Sequence, residues 1–188
     1  KKIYWYFFER ENLKKSRAVL VNSQTEVNHL KKTFVNTKKI NIKKVNYGII
    51  KPKININKKI LIKKYPFLKK NKYILFMGRV DPKKGLDLLI ESFAKIKSKK
   101  NYILIISGPI ENQSFKKKLD RSIEANNLKN KIFFTGFVGG NNKWNFIKFS
   151  EFTILPSYGE NFGVSVVESL SIGKIVILSN RLISEVKL

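Results

Sequence analysis

The sequence predicts an α/β fold with a doubly wound parallel sheet of the Rossmann-like type. Short apolar runs alternate with longer segments whose apolar residues recur at helical spacing, which is typical of βαβ crossovers. The run 73–78 is apolar throughout, as expected of a parallel strand buried on both faces. In this half of the chain the predicted strands are 73–78, 102–107, 131–134, 152–155 and 175–178, and the predicted helices are 86–96, 113–126, 142–149 and a segment that begins near residue 161.

The first part of the chain is organised differently. Its predicted elements are helices at 2–15, 24–34 and 60–65 and strands at 17–22 and 43–50. Ser23, followed three residues later by Glu26, forms a capping box for the second of these helices. Residues 51–59 alternate Lys, Ile and Asn and read as a linker of low complexity. We therefore predict three parts: the end of one domain (1–44), an interdomain strand and linker (45–70), and a second domain (71–188).

The charge balance is strongly basic. Subtracting 13 acidic from 39 basic residues leaves a net charge of +26, which could attract nucleic acid or an anionic membrane surface. The excess is mostly lysine, however, and it is spread over every predicted element. Arginine, which is favoured for bidentate phosphate and base-edge contacts, is scarce. We expect no specific nucleic-acid partner, although a basic domain that binds polyanions or a membrane surface without catalysis remains an alternative.

Several other classes of protein receive no support from the composition. With no cysteine and a single histidine, His29, neither a disulfide framework nor a metal site rich in Cys or His is expected, and a reducing cytoplasm is compatible. No apolar run approaches the 18 or so residues of a membrane-spanning helix. The only methionine is Met77, and so we expect the sequence to be a fragment of a longer protein.

Charged residues and glycines follow the predicted strands, where ligands bind in sheets of this type. Arg79 and Lys84 lie on the loop after strand 73–78, beside a predicted helix N-terminus, and could together neutralise a diphosphate. Other candidates at strand ends are Gly78, Gly108, Gly136, Val138 and residues 160–164. Neither the dinucleotide-binding fingerprint nor a P-loop is present.

The start of the last predicted helix carries the most informative stretch. Asn161 could cap the helix, Gly163 permits close approach of a ligand, and free amides at the helix start suit a phosphate. If the segment between Glu160 and Glu168 is mostly helical, their backbones lie roughly 10–12 Å apart. Paired glycosidase carboxyl groups lie about 5–9.5 Å apart, so that two separate roles along one elongated ligand fit better. Taken alone, a turn residue and a solvated helix face remain an alternative.

Four motifs in the right order resemble the C-terminal half of the family 4 (group 1) retaining glycosyltransferases, which have the GT-B fold. They are Leu75 to Ile90, Ser107-Gly108-Pro109, Phe133 to Val138, and Leu155-Pro156-Ser157 running into Glu160 and Glu168 at the family's E-x7-E spacing. A weaker similarity extends upstream, to a strand and helix at 17–26 and an interdomain strand at 45–49. The resemblance implies that residues 1–44 end an acceptor-side domain and that 71–188 form a donor-binding domain, incomplete at its C-terminus.

The resemblance also implies a role for each candidate residue. Arg79 and Lys84 would hold the diphosphate of a sugar nucleotide, with Gly78 beside them. The backbone of Phe162, Gly163 and Val164 would add helix-end amides. In the remaining roles, Glu168 would accept from the ribose hydroxyls, Glu160 would contact the transferred sugar, and Val138 would adjoin the base. Arg79, Lys84 and Glu160 are then the expected catalytic residues.

The implied activity is retaining, metal-independent transfer of a hexose from a UDP- or GDP-sugar to a glycan or lipid-linked acceptor. It would serve cell-envelope or polysaccharide synthesis, including lipopolysaccharide, without any cofactor beyond the donor. The expected location is the cytoplasm, with peripheral contact at the anionic inner face of the membrane. The fragment alone is expected to be inactive, because the active site lies between two domains. A nucleotide-sugar epimerase on the same fold is a further alternative.

Overall fold

A parallel five-stranded sheet forms the centre of the molecule. The computed structural model describes residues 4–33, 40–45, 48–49, 56–96, 102–160 and 162–180. The strands of the central sheet are Lys72–Met77 (β3), Tyr102–Ser107 (β4), Ile132–Gly136 (β5), Phe152–Leu155 (β6) and Val176–Leu178 (β7). A smaller parallel sheet pairs Val19–Val21 (β1) with Ile42–Lys44 (β2). The predicted α/β class and doubly wound parallel sheet are confirmed.

The strand order of the central sheet creates a place for a ligand. The order is β5-β4-β3-β6-β7, so that the chain winds outward from β3 in one direction, returns, and then winds outward in the other. The loops after β3 and β6 therefore leave neighbouring strands toward opposite faces of the sheet. A crevice between such loops is where doubly wound sheets bind their ligands.

Helices cover both faces of this sheet. The helices are Arg10–Lys15 (α1), Gln24–Thr33 (α2), Lys58–Lys64 (α3), Leu86–Lys95 (α4), Gln113–Ala125 (α5), Gly140–Phe149 (α6) and Val164–Ser171 (α7). Ile74 and Phe76 of β3 pack in one core cluster with apolar side chains of α4 and α5. Tyr73 and Leu75 point the other way, into a second cluster with α3 and α6. This alternation explains why the strand is apolar throughout.

The capping box predicted for the second helix is confirmed. The Glu26 amide donates to Ser23 Oγ at 3.1 Å, and the Glu26 carboxylate accepts from the Asn22 amide at 2.7 Å. The helix α2 begins directly after Ser23 and ends at Thr33. The Ser23 side chain thus satisfies an amide that the helix start leaves without an intrahelical partner, while the Glu26 side chain reaches back to the residue before the cap.

The segment 45–70 differs from its prediction. Strand β2 overlaps the strand predicted at 43–50 only at residues 43 and 44, and the described residues 45, 48 and 49 are not in a strand. Instead Asn57 Oδ1 accepts from the amides of Lys59 and Ile60 and starts α3, which takes in the end of the predicted linker. Asn46 and Tyr47 of the predicted strand lie outside the described residues, as do residues 50–55. The division into domains stays a prediction.

Tyr73 joins the central strand to α6. Its hydroxyl donates to the Phe146 carbonyl at 2.8 Å, its side chain is 3% exposed, and burial raises its pKa. Tyr73→Phe keeps the ring but removes the bond, and we expect a loss of about 1 kcal/mol in the free energy of unfolding. Urea denaturation would measure it. Tyr4→Phe, at a residue that is 60% exposed, is the control and should leave stability unchanged; equal losses for both variants would contradict the prediction.

None of the helices in the described residues is both long enough and apolar enough to cross a membrane.

Candidate functional site

A cavity of about 560 Å³ opens between the loops that follow β3 and β6. Its wall also includes the ends of β4 and β5, the start of α7, and Asn22 at the end of β1. The lining residues are Asn22, Met77, Gly78, Arg79, Lys84, Ser107, Gly108, Pro109, Phe137, Val138, Lys143, Leu155, Glu160, Phe162, Gly163, Val164, Ser165 and Glu168. This volume is within the range of small-molecule sites.

The nine residues to which the sequence analysis assigned a role in the site all line this cavity, whereas the further strand-end candidate Gly136 does not. The nine are Gly78, Arg79, Lys84, Val138, Glu160, Phe162, Gly163, Val164 and Glu168. These residues come together because the carboxyl ends of parallel strands all lie at the same edge of the sheet, where ligands are expected to bind. The structure establishes this proximity, whereas the role of each residue stays a prediction.

Lys84 and Glu160 form an ion pair inside the cavity. Lys84 Nζ contacts Glu160 Oε1, and the two side chains are only 15% and 13% exposed. Ser157, which is fully buried, donates its hydroxyl to the same carboxylate oxygen at 2.7 Å. A partly buried pair with a second hydrogen bond is held far more firmly than an exposed one. The lysine expected at the phosphates and the carboxylate expected at the sugar are therefore in direct contact.

The backbone keeps the two loops of this ion pair together. Asp81 accepts from the Lys83 amide and starts the short 3₁₀ turn Pro82–Lys84. The amide of Tyr158 donates to the Lys83 carbonyl at 2.9 Å. Gly85 has a φ of +65°, and a Cβ placed on it would lie 2.3 Å from the Pro156 carbonyl oxygen. Only glycine permits this close approach, which sets Lys84 opposite Glu160.

Arg79 is held differently from Lys84. Its guanidinium donates to Glu111 Oε2 at 2.7 Å, and both side chains are about half exposed. Arg79 and Lys84 therefore line the same cavity while each is paired with a different carboxylate. Glu111, which the sequence analysis did not identify, follows β4 rather than β3 or β6.

Helix α7, which was predicted to begin near residue 161, begins later in the structure. Gly163 occupies the N-cap of α7 with φ +68°, and Asn161, the predicted cap, lies outside the described residues. Phe162 thus precedes the helix instead of belonging to it. The spacing estimated for Glu160 and Glu168 assumed mostly helical backbone between them, whereas the helix begins only at Val164.

Glu168 is paired with a lysine that the sequence analysis did not identify. Lys143 Nζ of α6 lies 2.5 Å from Glu168 Oε1, and the two side chains are 25% and 14% exposed. Lys143 also lies over the ring of Trp144, with Nζ 4.7 Å from the ring centroid. No local signal distinguished Lys143 from the other lysines, although it lies in the first turn of the helix that follows β5, where ligands bind in sheets of this type.

Gly78 and Gly108 contribute backbone to the wall of the cavity. Gly108 has a φ of +152°, and a Cβ on it would lie 1.9 Å from the Gly78 carbonyl oxygen. The Gly78 amide donates to the Ser107 carbonyl and the Gly108 amide to the Gly136 carbonyl. The ends of β3, β4 and β5 therefore lie side by side at these three glycines, of which Gly78 and Gly108 line the cavity. Among the described residues, no group of three His, Cys, Asp or Glu side chains could hold a metal ion.

Comparison with known proteins supports the family that the sequence motifs resemble. The model of the family described as glycosyl transferases group 1 matches residues 57–185, more than half of the chain. An uncharacterized glycosyltransferase of Methanocaldococcus jannaschii is 31% identical over 182 residues, which cover 93% of this chain and 44% of that protein. The N-acetylgalactosamine-N,N'-diacetylbacillosaminyl-diphospho-undecaprenol 4-alpha-N-acetylgalactosaminyltransferase of Campylobacter jejuni is 29% identical over 112 residues, 60% of this chain and 29% of that one.

A solved structure shares the fold. The structure of Anabaena HepE in complex with UDP and glucose superposes with a TM-score of 0.79 at 20% identity, over 96% of this chain and 49% of that one. At this identity the similarity establishes the fold, which is that of GT-B glycosyltransferases. The chain spans less than half the length of each of these three proteins. The family model covers the central sheet and the whole cavity except Asn22, and the chain therefore belongs to the group 1 glycosyl transferases.

Proposed function

We propose that the protein transfers a hexosyl group, with retention, from a nucleoside-diphosphate sugar to a glycan or lipid-linked acceptor. The observation that carries this proposal is the cavity between β3 and β6, whose wall holds Arg79 and Lys84 together with Glu160 and Glu168. A sugar nucleotide needs cations for its diphosphate and acceptors for its sugar and ribose hydroxyls. The cavity presents both kinds of group along one wall.

In this proposal the diphosphate lies between the β3 loop and the start of α7. Arg79 and Lys84 contribute positive charge, and the start of α7 adds the positive end of a helix dipole, which suits a phosphate. Among the described residues, Lys84 and Ser157 both contact Glu160 through Oε1. The second oxygen, Oε2, is thus left to accept from a hydroxyl of the transferred sugar.

The reaction breaks the bond between the anomeric carbon and the diphosphate oxygen. The sugar acquires oxocarbenium character while negative charge grows on the leaving diphosphate. Lys84, fixed by Glu160 and by its short turn, is already in place where this charge develops, and such preorganised charge lowers the barrier. In this proposal these fixed cations compensate the negative charge that grows on the diphosphate, and no metal ion takes part.

The relatives support the partners that we propose. The Campylobacter jejuni relative is named for a diphospho-undecaprenol acceptor, and the Anabaena structure was solved with UDP and glucose. From these we propose a UDP- or GDP-sugar as donor and a lipid-linked glycan as acceptor, in envelope polysaccharide synthesis. We also propose that the enzyme acts in the cytoplasm, at the anionic inner face of the membrane, which its +26 charge would favour.

Calorimetric titration of the full-length protein with UDP, GDP, CDP and inorganic pyrophosphate tests this function. We expect saturable binding of one nucleoside diphosphate in preference to the others, and transfer of sugar from the corresponding donor. The same titration at rising salt distinguishes this function from that of a polyanion binder. The affinity of a polyanion binder for all of these ligands would fall steeply with salt and would show no preference for a base. Equal binding of all four probes would contradict the proposal.

Glu168 is predicted to accept hydrogen bonds from the ribose. Glu168→Ala should therefore weaken binding of the ribonucleoside diphosphate by about 10- to 100-fold, the range for a hydrogen bond to a charged group. The 2′,3′-dideoxy form lacks these hydroxyls and should lose little affinity. Titration of both forms against both proteins measures the difference, and an equal loss for the two forms would remove Glu168 from this role.

A further inference from the structure

We propose that Lys143 is a positioning residue, which orients the Glu168 carboxylate so that the site selects a ribonucleotide. This inference rests on the proposed function, because it concerns how the site recognises the ribose of a nucleoside diphosphate. It adds to that function a residue from α6, a helix that contributes none of the residues predicted for the site from the sequence.

The first argument is geometric. Lys143 Nζ lies 2.5 Å from Glu168 Oε1, and both residues line the cavity. Among the described residues, Lys143 is the side chain that contacts the Glu168 carboxylate, and it uses only one of the two oxygens. The other oxygen can then accept from a ribose hydroxyl. Without the lysine the carboxylate could rotate, and part of its preference for hydroxyl groups would be lost.

The second argument comes from the two helices. Lys143 lies in the first turn of α6, where its amide donates to the Gly139 carbonyl, and Glu168 lies in the last turn of α7. A cation near a helix N-terminus and an anion near a C-terminus both oppose the helix dipole. Each charge is therefore placed against its own helix and is stabilised by the other. Charges that oppose the local preference of their helices, and that lie at a cavity wall, are typical of a functional site.

The third argument concerns the freedom of the lysine. Its Nζ lies over the Trp144 ring, which is itself almost fully buried in the core cluster beneath α6. The ring and the carboxylate approach the ammonium group from two sides, and a cation held over an aromatic face gains further stabilisation. A lysine on a long flexible stem is thereby restricted to one orientation, as a positioning role requires.

The test is titration of the full-length protein with UDP and GDP and with their 2′,3′-dideoxy forms. Lys143→Met removes the charge while keeping the length of the side chain. For the nucleotide that the wild type binds, we expect Lys143→Met to lower the affinity for the ribo form by about tenfold. The affinity for the dideoxy form should stay within about twofold of the wild-type value. Lys148→Met, an exposed lysine on the same helix, is the matched control and should change neither affinity.

A double substitution separates positioning from direct contact. If Lys143 acts through Glu168, then Lys143→Met should have no further effect on ribo binding once Glu168→Ala is present, because interacting residues are not additive. Equal weakening of the ribo and dideoxy forms would overturn the inference, since it would place Lys143 on the phosphates. A ribo preference that survives Lys143→Met would overturn it as well. A wild-type protein that binds none of the nucleotides would instead overturn the proposed function itself.

Discussion

Replacing Lys84 by methionine is expected to lower the turnover number by about 10²- to 10³-fold, which is the effect of losing one preorganised donor at a developing negative charge. The lysine is only 15% exposed and is fixed by Glu160, so that neither water nor a neighbouring side chain can readily take its place. The substitution also leaves the Glu160 carboxylate partly buried, with Ser157 as its remaining partner among the described residues. Steady-state kinetics of the full-length enzyme with its sugar nucleotide would measure the loss.

Lys83→Met is the matched control for this prediction. Lys83 lies on the same short turn, its side chain is exposed, and its contacts to Asp81 and Tyr158 are made through the backbone and so survive the substitution. We expect turnover within about twofold of the wild type, because a distant exposed charge is screened by salt. Comparable losses for the two variants, or near-normal turnover in Lys84→Met, would show that Lys84 does not act on the leaving group.

Gly85→Ala is expected to have the largest effect on stability and to reduce activity with it. The added methyl group would lie 2.3 Å from the Pro156 carbonyl oxygen, so that one of the two loops must move. Backbone displacement combined with left-handed strain should cost about 3 kcal/mol or more. Since these loops carry Lys84 and Glu160, we also expect donor affinity to fall in the fraction that remains folded. Thermal denaturation and nucleotide titration would measure the two effects separately.

Gly173→Ala isolates the contribution of backbone strain. Gly173 has a φ of +71°, close to that of Gly85, but nothing lies within 4 Å of an added Cβ. Its substitution should therefore cost only about 1 kcal/mol, the penalty for a left-handed residue other than glycine. If the two alanine variants lost the same stability, the close approach to Pro156 would have no energetic importance.

The elements of the central sheet were predictable because each is marked locally. The strands Tyr102–Ser107 and Phe152–Leu155 have the bounds that were predicted, since each is an apolar run that ends at a residue unsuited to continue it, a glycine in one and a proline in the other. Alternation of strands and helices implies that the strands pair in parallel. The carboxyl ends of parallel strands lie at one edge of the sheet, and this brings the candidate residues together.

The pairing of charges could not be predicted in the same way. In a chain so rich in lysine, no single lysine is conspicuous, and Lys143 meets Glu168 only because two separate helices start and end beside one cavity. The start of α7 was misplaced for a related reason. Gly163 takes a left-handed conformation at the N-cap, so that the helix begins after Phe162 instead of near residue 161. Both features depend on tertiary packing, which local sequence patterns do not encode.

The position of β6 has a consequence for how the protein acquires its binding site during synthesis. Lys84 and Glu160 are 76 residues apart, and β6 can pair with β3 only after the intervening segments that contain β4, β5 and α6 have been synthesised. Contacts of such separation form late, because closing a long loop costs entropy before any contact repays it. A growing chain therefore emerges with half of a binding site, and the nucleotide can stabilise only chains in which β6 has reached its place.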